Sequence, residues 1–240
     1  MDGQVFLFTI LQLNPKFQQN ALSLAQKNQR MCKFTTIILL CSVFSIFSTQ
    51  VLAQNADIDL LKSINSNSST IGYSKLISNT TTIVSLSTPI VMGAVALIEK
   101  DDNLLKNAIY IGAAIGVDGV LTYGMKRVVG RQRPYVSYPN DIVAYETEIS
   151  NSFPSGHTSL AFSTATALSL KYPKWYIIAP SYFWACSVGY SRMNLGVHYP
   201  SDVLAGALLG AGSAYITYKV NDWFWKKQEN KRLIGLQTWL

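Results

Sequence analysis

The run Ser191-Arg192-Met193-Asn194-Leu195-Gly196-Val197-His198-Tyr199-Pro200-Ser201-Asp202 holds a cation, an imidazole and a carboxylate in a neighbourhood otherwise nearly free of charge. The chain has two histidines, His157 and His198, and one of them lies here. If the residues after Pro200 are helical, Asp202 lies one turn beyond His198 and reaches its ring. A carboxylate that holds an imidazole by one nitrogen leaves the other free as nucleophile or base. Arg192 adds a planar fork suited to phosphate or carboxylate. Taken alone, the run reads equally well as a surface Arg, a core His and a helix N-cap Asp.

Two earlier stretches offer related chemistry. Lys126-Arg127-Val128-Val129-Gly130-Arg131-Gln132-Arg133-Pro134 packs four cations together, and Pro134 fixes the chain after Arg133. It is either a solvated basic patch or an anion clamp at a helix end. Ser152-Phe153-Pro154-Ser155-Gly156-His157 runs directly into an apolar segment. Gly156 lets the backbone approach a ligand closely, and a helix N-terminus presents unpaired N–H groups to an anion. His157 at that end is placed to give a proton to a leaving oxygen. The bland alternative is a Ser N-cap beside a chance histidine.

The elements that must position these residues are apolar. Residues 82–98, 104–125, 158–170, 175–190 and 203–218 form five segments with few or no charges, and Asp118 lies inside the second. All but 104–125 fall short of the ~20 residues that span a bilayer untilted. Hydrophobic residues make up 49% of the chain and charged residues 14%, against about 25% charged in ordinary soluble domains. The length of 240 residues suits one substantial domain. The formal charge of +7 collects near the ends, where it sets topology more readily than it binds nucleic acid, and no base-stacking motif accompanies it.

The first segments read as an export signal. Arg30-Met31-Cys32-Lys33, an apolar run from Phe34 to Phe47 and Val51-Leu52-Ala53 suggest either cleavage after Ala53 or an uncleaved first membrane helix. Met31 is a natural start for that signal. Residues 55–79 read as a short amphipathic helix and a Ser/Asn-rich loop. Cys186 reads as a small apolar filler in a helix. From an exported N-terminus, the five segments put Lys171, Lys174 and the basic tail inside, with Trp223-Phe224-Trp225 as an interfacial anchor. The 126–157 loop and the 191–202 run then face outside together.

The three stretches resemble the type 2 phosphatidic acid phosphatase family, whose site is shared with vanadium haloperoxidases and class A acid phosphatases. The pattern K-x6-R-P, P-S-G-H, S-R-x5-H-x3-D is matched at Lys126, Arg133 and Pro134, at Pro154 to His157, and at Ser191, Arg192, His198 and Asp202. The resemblance implies an all-α bundle of about five to six membrane helices. It implies that His198 attacks phosphorus, Asp202 orients its ring and His157 protonates the leaving group. Lys126, Arg133, Ser155, Gly156 and Arg192 then hold the phosphoryl oxygens. Three fixed cations stabilise such a transition state electrostatically. With no carboxylate cluster to bind magnesium, neither metal nor cofactor is expected.

The expected division is an extension with signal or first helix at 1–53, an exported segment at 54–81, the phosphatase domain at 82–225 and a basic tail at 226–240. The expected partners are a lipid phosphate and the membrane, with no nucleic acid and no obligate protein partner. The expected location is the cytoplasmic membrane, multi-pass, with the site facing the exterior. A soluble exported acid phosphatase stays open beside this reading, as do a haloperoxidase and a non-catalytic binding protein.

Overall fold

The computed structural model describes residues 56–237, with side chains to 227; the signal and its cleavage after Ala53 lie outside the described residues. Among the described residues every regular element is helical. Helix α1 covers 56–65, and a 3-10 turn at Ser68–Thr70 leads into α2, Ile71–Glu99. Helix α3 is Asp102–Val129 and α4 is the single turn Pro134–Ser137. After an irregular stretch come α5 (Gly156–Lys171), α6 (Trp175–Asn194) and α7 (Pro200–Gln237).

Helix α5 is the axis, packed against α7, α6, α3 and α2. Its sequence explains why: Thr158, Ser159, Ala161, Ser163, Thr164, Ala165, Thr166 and Ala167 are all buried, and all are small. Small side chains let helix backbones approach closely where lipid supplies no hydrophobic drive between helices. Gly206 and Gly210 do the same from α7. A Cβ on Gly206 would stand 2.6 Å from the Ser155 carbonyl oxygen, and one on Gly210 would run into the Ser159 carbonyl.

The outer surface is the apolar one. Ile83, Ile90 and Leu97 of α2, Val120 of α3, Phe183 of α6 and Leu204 and Leu208 of α7 are exposed. Ser68–Glu99, Asp102–Ser137 and Pro200–Lys227 are each long and apolar enough to cross a membrane. A polar interior under an apolar exterior is the arrangement of a multi-pass membrane protein. Asp118 fits it, accepting hydrogen bonds from Ser159 Oγ at 2.5 Å and Ser213 Oγ at 3.4 Å between α3, α5 and α7.

Three expectations need correction. Helix α2 begins at Ile71, so the loop expected to reach Asn79 is confined to a few residues around Asn67. Its early turns are polar because Ser74, Ser78, Thr81 and Ser85 face inward, one or two turns apart. Helix α7 continues to Gln237, through the stretch expected to be a tail. Cys186 does lie in a helix, but on its exposed face.

The α5–α7 seam sets a test. Gly210→Ala drives a methyl group into backbone and should cost about 1–3 kcal/mol or more. Gly212, which has open space around its Cβ position, should tolerate alanine and gain about 0.5–1 kcal/mol from helix entropy. Thermal unfolding in detergent compares the two; equal behaviour would mean the seam is looser than described.

Candidate active site

One end of the bundle gathers the end of α3, the starts of α5 and α7, and the end of α6. All three sequence stretches meet there. Lys126 lies in the last turn of α3, which stops at Gly130 in the left-handed region at φ 64°. The chain then runs extended through Arg133, the N-cap residue of α4, with Pro134 in the first turn where its missing N–H costs nothing. Helix α6 ends at Asn194, and Gly196 turns the chain at φ 77°. A Cβ on Gly196 would strike the Val143 carbonyl, so the turn needs glycine.

The turn delivers His198 just before α7. Pro200 opens that helix, and Asp202 reaches back so that Oδ2 accepts the Tyr199 N–H at 3.0 Å, half of a capping box. The same Oδ2 lies 3.5 Å from His198 Nδ1 and accepts a hydrogen bond from Ser152 Oγ at 2.5 Å. Ser152 Oγ is also 3.4 Å from His198 Nδ1, so it bridges the pair. Asp202 is thus the third helical residue and not the N-cap, which is Tyr199, and its carboxylate lies within reach of the His198 ring. His198 is fully buried, and its Nε2 lies 3.3 Å from Arg133 Nη1, which can only donate, so Nε2 is the accepting nitrogen. Burial pushes the imidazole down to about 4 against the pull of Asp202, with Arg133 and Arg192 adding to the fall. The ring is neutral at ordinary pH, as a nucleophile requires.

Arg133 and Arg192 form the clamp. Arg133 is held by the Ser150 carbonyl at 2.8 Å and the Val197 carbonyl at 2.9 Å. Arg192 Nη1 donates to Ser78 Oγ at 2.5 Å and to Glu146 Oε2 at 2.9 Å. Between the two guanidiniums lies the Glu148 carboxylate, taking Arg133 Nη2 at 2.5 Å on one oxygen and Arg192 Nη2 on the other. His157 Nδ1 stands 3.7 Å from Glu148 Oε1. Burial would raise the Glu148 carboxyl, but Arg192 and then Arg133 hold it below the usual carboxylate range. Arg192 Nε, buried, has no partner among the described residues.

The remaining expected residues stand at the edge. Lys126 Nζ donates to the Asn151 carbonyl at 2.5 Å. Ser155 is the N-cap of α5, with its N–H on the Asp202 carbonyl at 3.0 Å and its hydroxyl 2.9 Å from Thr158 Oγ1. Its own donors are thus engaged, and the N–H groups of Gly156 and His157 open the helix. Among the described residues no group of three His, Cys, Asp or Glu is arranged to hold a metal ion. Glu146, Glu148 and Ser152 were not singled out as site residues from sequence. The signal that could have found the acids is that two buried arginines demand anions.

Comparison with known proteins agrees with the geometry. The chain is 40% identical over 114 residues to the bacitracin transport permease protein BcrC of Bacillus licheniformis, covering 46% of this chain and 53% of that protein. It is 31% identical over 114 residues to the lipid A 1-phosphatase of Rhizobium johnstonii, covering 45% of each. The chain thus spans about half the length of the curated relatives it matches. The crystal structure of Aquifex aeolicus LpxE superposes with a TM-score of 0.58 at 26% identity, covering 68% of this chain and 95% of that one. A model described as the PAP2 superfamily matches residues 107–226, half of the chain and the half that carries all three motifs. The chain belongs to the PAP2 superfamily.

Proposed function

We propose that this protein is an integral membrane phosphatase that hydrolyses a lipid phosphomonoester or pyrophosphate at the exterior face of the cytoplasmic membrane. The observation that carries the reading is the Glu148 carboxylate lodged between Arg133 and Arg192, in front of both histidines. A site that already binds one oxyanion there suits another, and phosphate presents more oxygens to the same donors. The name of the Rhizobium relative, a lipid A 1-phosphatase, supports a lipid phosphate as the class. The apolar outer surface of the bundle supports a substrate taken from the membrane.

The phosphate displaces Glu148 from the clamp. His198 Nε2 attacks phosphorus as the bond to the leaving oxygen breaks, and His157 gives that oxygen its proton. Burial and then Arg192 hold the free-site His157 imidazole down at about 4, so the proton is one taken up as the phosphate dianion enters beside it. The His198 Nδ1 proton stays shared with Asp202. In the second half His157 takes a proton from water, the hydroxide attacks phosphorus, and the P–N electron pair returns to Nε2. Arg133, Arg192, Lys126 and the start of α5 hold the equatorial oxygens as charge develops. The cations stand where a metal would otherwise act, which supports metal-independent chemistry. The basic residues Lys171 and Lys174 lie at the opposite end of α5 from the site, which supports an exterior-facing site.

Phosphate release in EDTA tests the reaction. Phosphatidate, phosphatidylglycerophosphate, a polyprenyl pyrophosphate, lipid A phosphate and a small soluble ester form the panel. Wild type should release phosphate from at least one lipid and His198→Ala from none. Release from the soluble ester at the same rate as from every lipid would favour a broad acid phosphatase; loss in EDTA restored by magnesium would refute the metal-free step.

Vanadate, a pentacoordinate phosphate mimic, should inhibit by taking the clamp. Because it must displace a carboxylate, Glu148→Gln should shift inhibition to lower concentration; an unchanged or weaker effect would mean Glu148 does not compete for the clamp.

The buried neutral His198 makes stability depend on pH. Its pKa is lower folded than unfolded, so its contribution is present above about 6.5, the unfolded value, and is lost as pH falls from there towards about 4. Thermal unfolding of wild type should therefore fall more steeply across that window than that of His198→Gln. Parallel curves would show that the ring is not held neutral.

A further inference from the structure

The two oxygens of Asp202 have different partners. Oδ2 serves His198, Ser152 and the Tyr199 N–H. Oδ1 is taken by Arg131 Nη1 at 2.7 Å. Arg131 is not one of the motif residues, and it lies two positions before the clamp arginine Arg133. Its guanidinium lies on the Tyr199 ring, 3.7 Å from the centroid, and Nη2 donates to Asp57 Oδ2 at 2.8 Å.

Asp57 belongs to α1, outside the residues matched by the family model. It is bound to the start of α7 as well, accepting the Ser201 N–H at 2.8 Å on Oδ1 and the Ser201 hydroxyl at 2.5 Å on Oδ2. Helix α1 is anchored independently of these charges. Asn65 Nδ2 donates to the Val143 carbonyl at 3.0 Å and the Asn194 carbonyl at 2.9 Å, and Ile58 and Leu61 pack with Ile142 and Tyr199.

Asp57, Arg131, Asp202 and His198 thus form a file of alternating charge that ends on the ring. Every hydrogen bond of the Arg131 guanidinium is to Asp57, Ser201 or Asp202, and none is to Glu148 or His198. Arg131 therefore stands behind the carboxylate rather than in the clamp. A carboxylate held only through Oδ2 swings about that oxygen, and a swing takes the acceptor out of line with His198 Nδ1. One gripped on Oδ1 by a guanidinium as well is fixed in plane, so Oδ2 stays in line with the Nδ1 proton and the Nε2 lone pair stays directed at the clamp.

We infer that Arg131, set in place by Asp57 of α1, is a positioning residue that fixes the plane of Asp202 and thereby the tautomer of His198. This rests on reading His198 as the nucleophile, and it makes a helix outside the family match a working part of the site.

The test uses the full chain in lipid nanodiscs, with Arg131→Gln, Arg131→Lys, Asp57→Asn and the double variant Asp57→Asn/Arg131→Gln. On the lipid phosphate that wild type hydrolyses, Arg131→Gln should lower kcat about 10- to 100-fold and leave KM within about twofold. Arg131→Lys should recover part of that loss. Asp57→Asn should lower kcat less, and the double variant should match Arg131→Gln alone, because Asp57 acts through Arg131. A raised KM with unchanged kcat would make Arg131 a substrate ligand and overturn the inference, and so would additive effects.

Imidazole nitrogen NMR gives a readout independent of turnover, since the chain has two histidines and His157→Gln assigns them. His198 should carry its proton on Nδ1 in wild type and show mixed tautomers in Arg131→Gln. Ile58→Ala, which loosens α1 but keeps Asp57, should lower the unfolding temperature without changing that signal. The same signal change in Ile58→Ala as in Asp57→Asn would reduce the effect to helix docking and sink the inference. If wild type hydrolyses no ester, the phosphatase reading fails; an unchanged His198 signal in Arg131→Gln would separately overturn the positioning role.

Discussion

Two guanidiniums inside the protein govern the rest of the structure. Arg192 has no exposed surface and Arg133 has 3%. A buried cation without a partner costs several kcal/mol, so each must meet an anion. The 138–155 stretch, which has no regular secondary structure, folds inward because it brings those anions as Glu146 and Glu148. Ser78 of α2 faces inward for the same reason, supplying Arg192 with a further acceptor. Any anion that enters such a site exchanges with one already there, and the arginines are never left bare.

A second constraint ties the two histidines into one rigid unit. Asp202 orients His198 by its side chain, caps α7 through the Tyr199 N–H, and takes the Ser155 N–H on its own carbonyl. The start of α5, and with it His157, is thereby locked to the start of α7. The seam at Gly206 and Gly210 holds the two helices at backbone contact below that lock. Neither histidine moves relative to the other without breaking both.

The site was legible where chemistry is concentrated in short runs. His198 and Asp202 met as their spacing allowed, and the 126–157 loop and the 191–202 run did converge at one end of the bundle. Glu148 was not legible: it lies in Tyr145-Glu146-Thr147-Glu148, with no periodicity to place it, and only the fold shows it lying between two arginines from distant elements. Arg131 was seen as a cation, but its partner Asp57 is far away in sequence, so its direction was open. The start of α2 was missed for a general reason. Reading polar residues as exposed suits water, whereas Ser74, Ser78, Thr81 and Ser85 are polar and buried while Ile83 and Ile90 are apolar and exposed.

The hydroxyl-rich character of α5 bears on how the chain enters its membrane. Helices α2, α3 and α7 are long and apolar enough to cross by themselves, and α5 is not among them. Leaving a translocation channel alone, α5 would expose serine and threonine to hydrocarbon with no partner. Its shelter is built partly from α7, which is synthesised after it. The emerging chain must therefore keep α5 in a protected, wet environment until α7 arrives, so that α5 integrates with α7 and not before it. A ribosome stalled before α7 would leave a polar helix stranded, a natural mark for quality control to recognise.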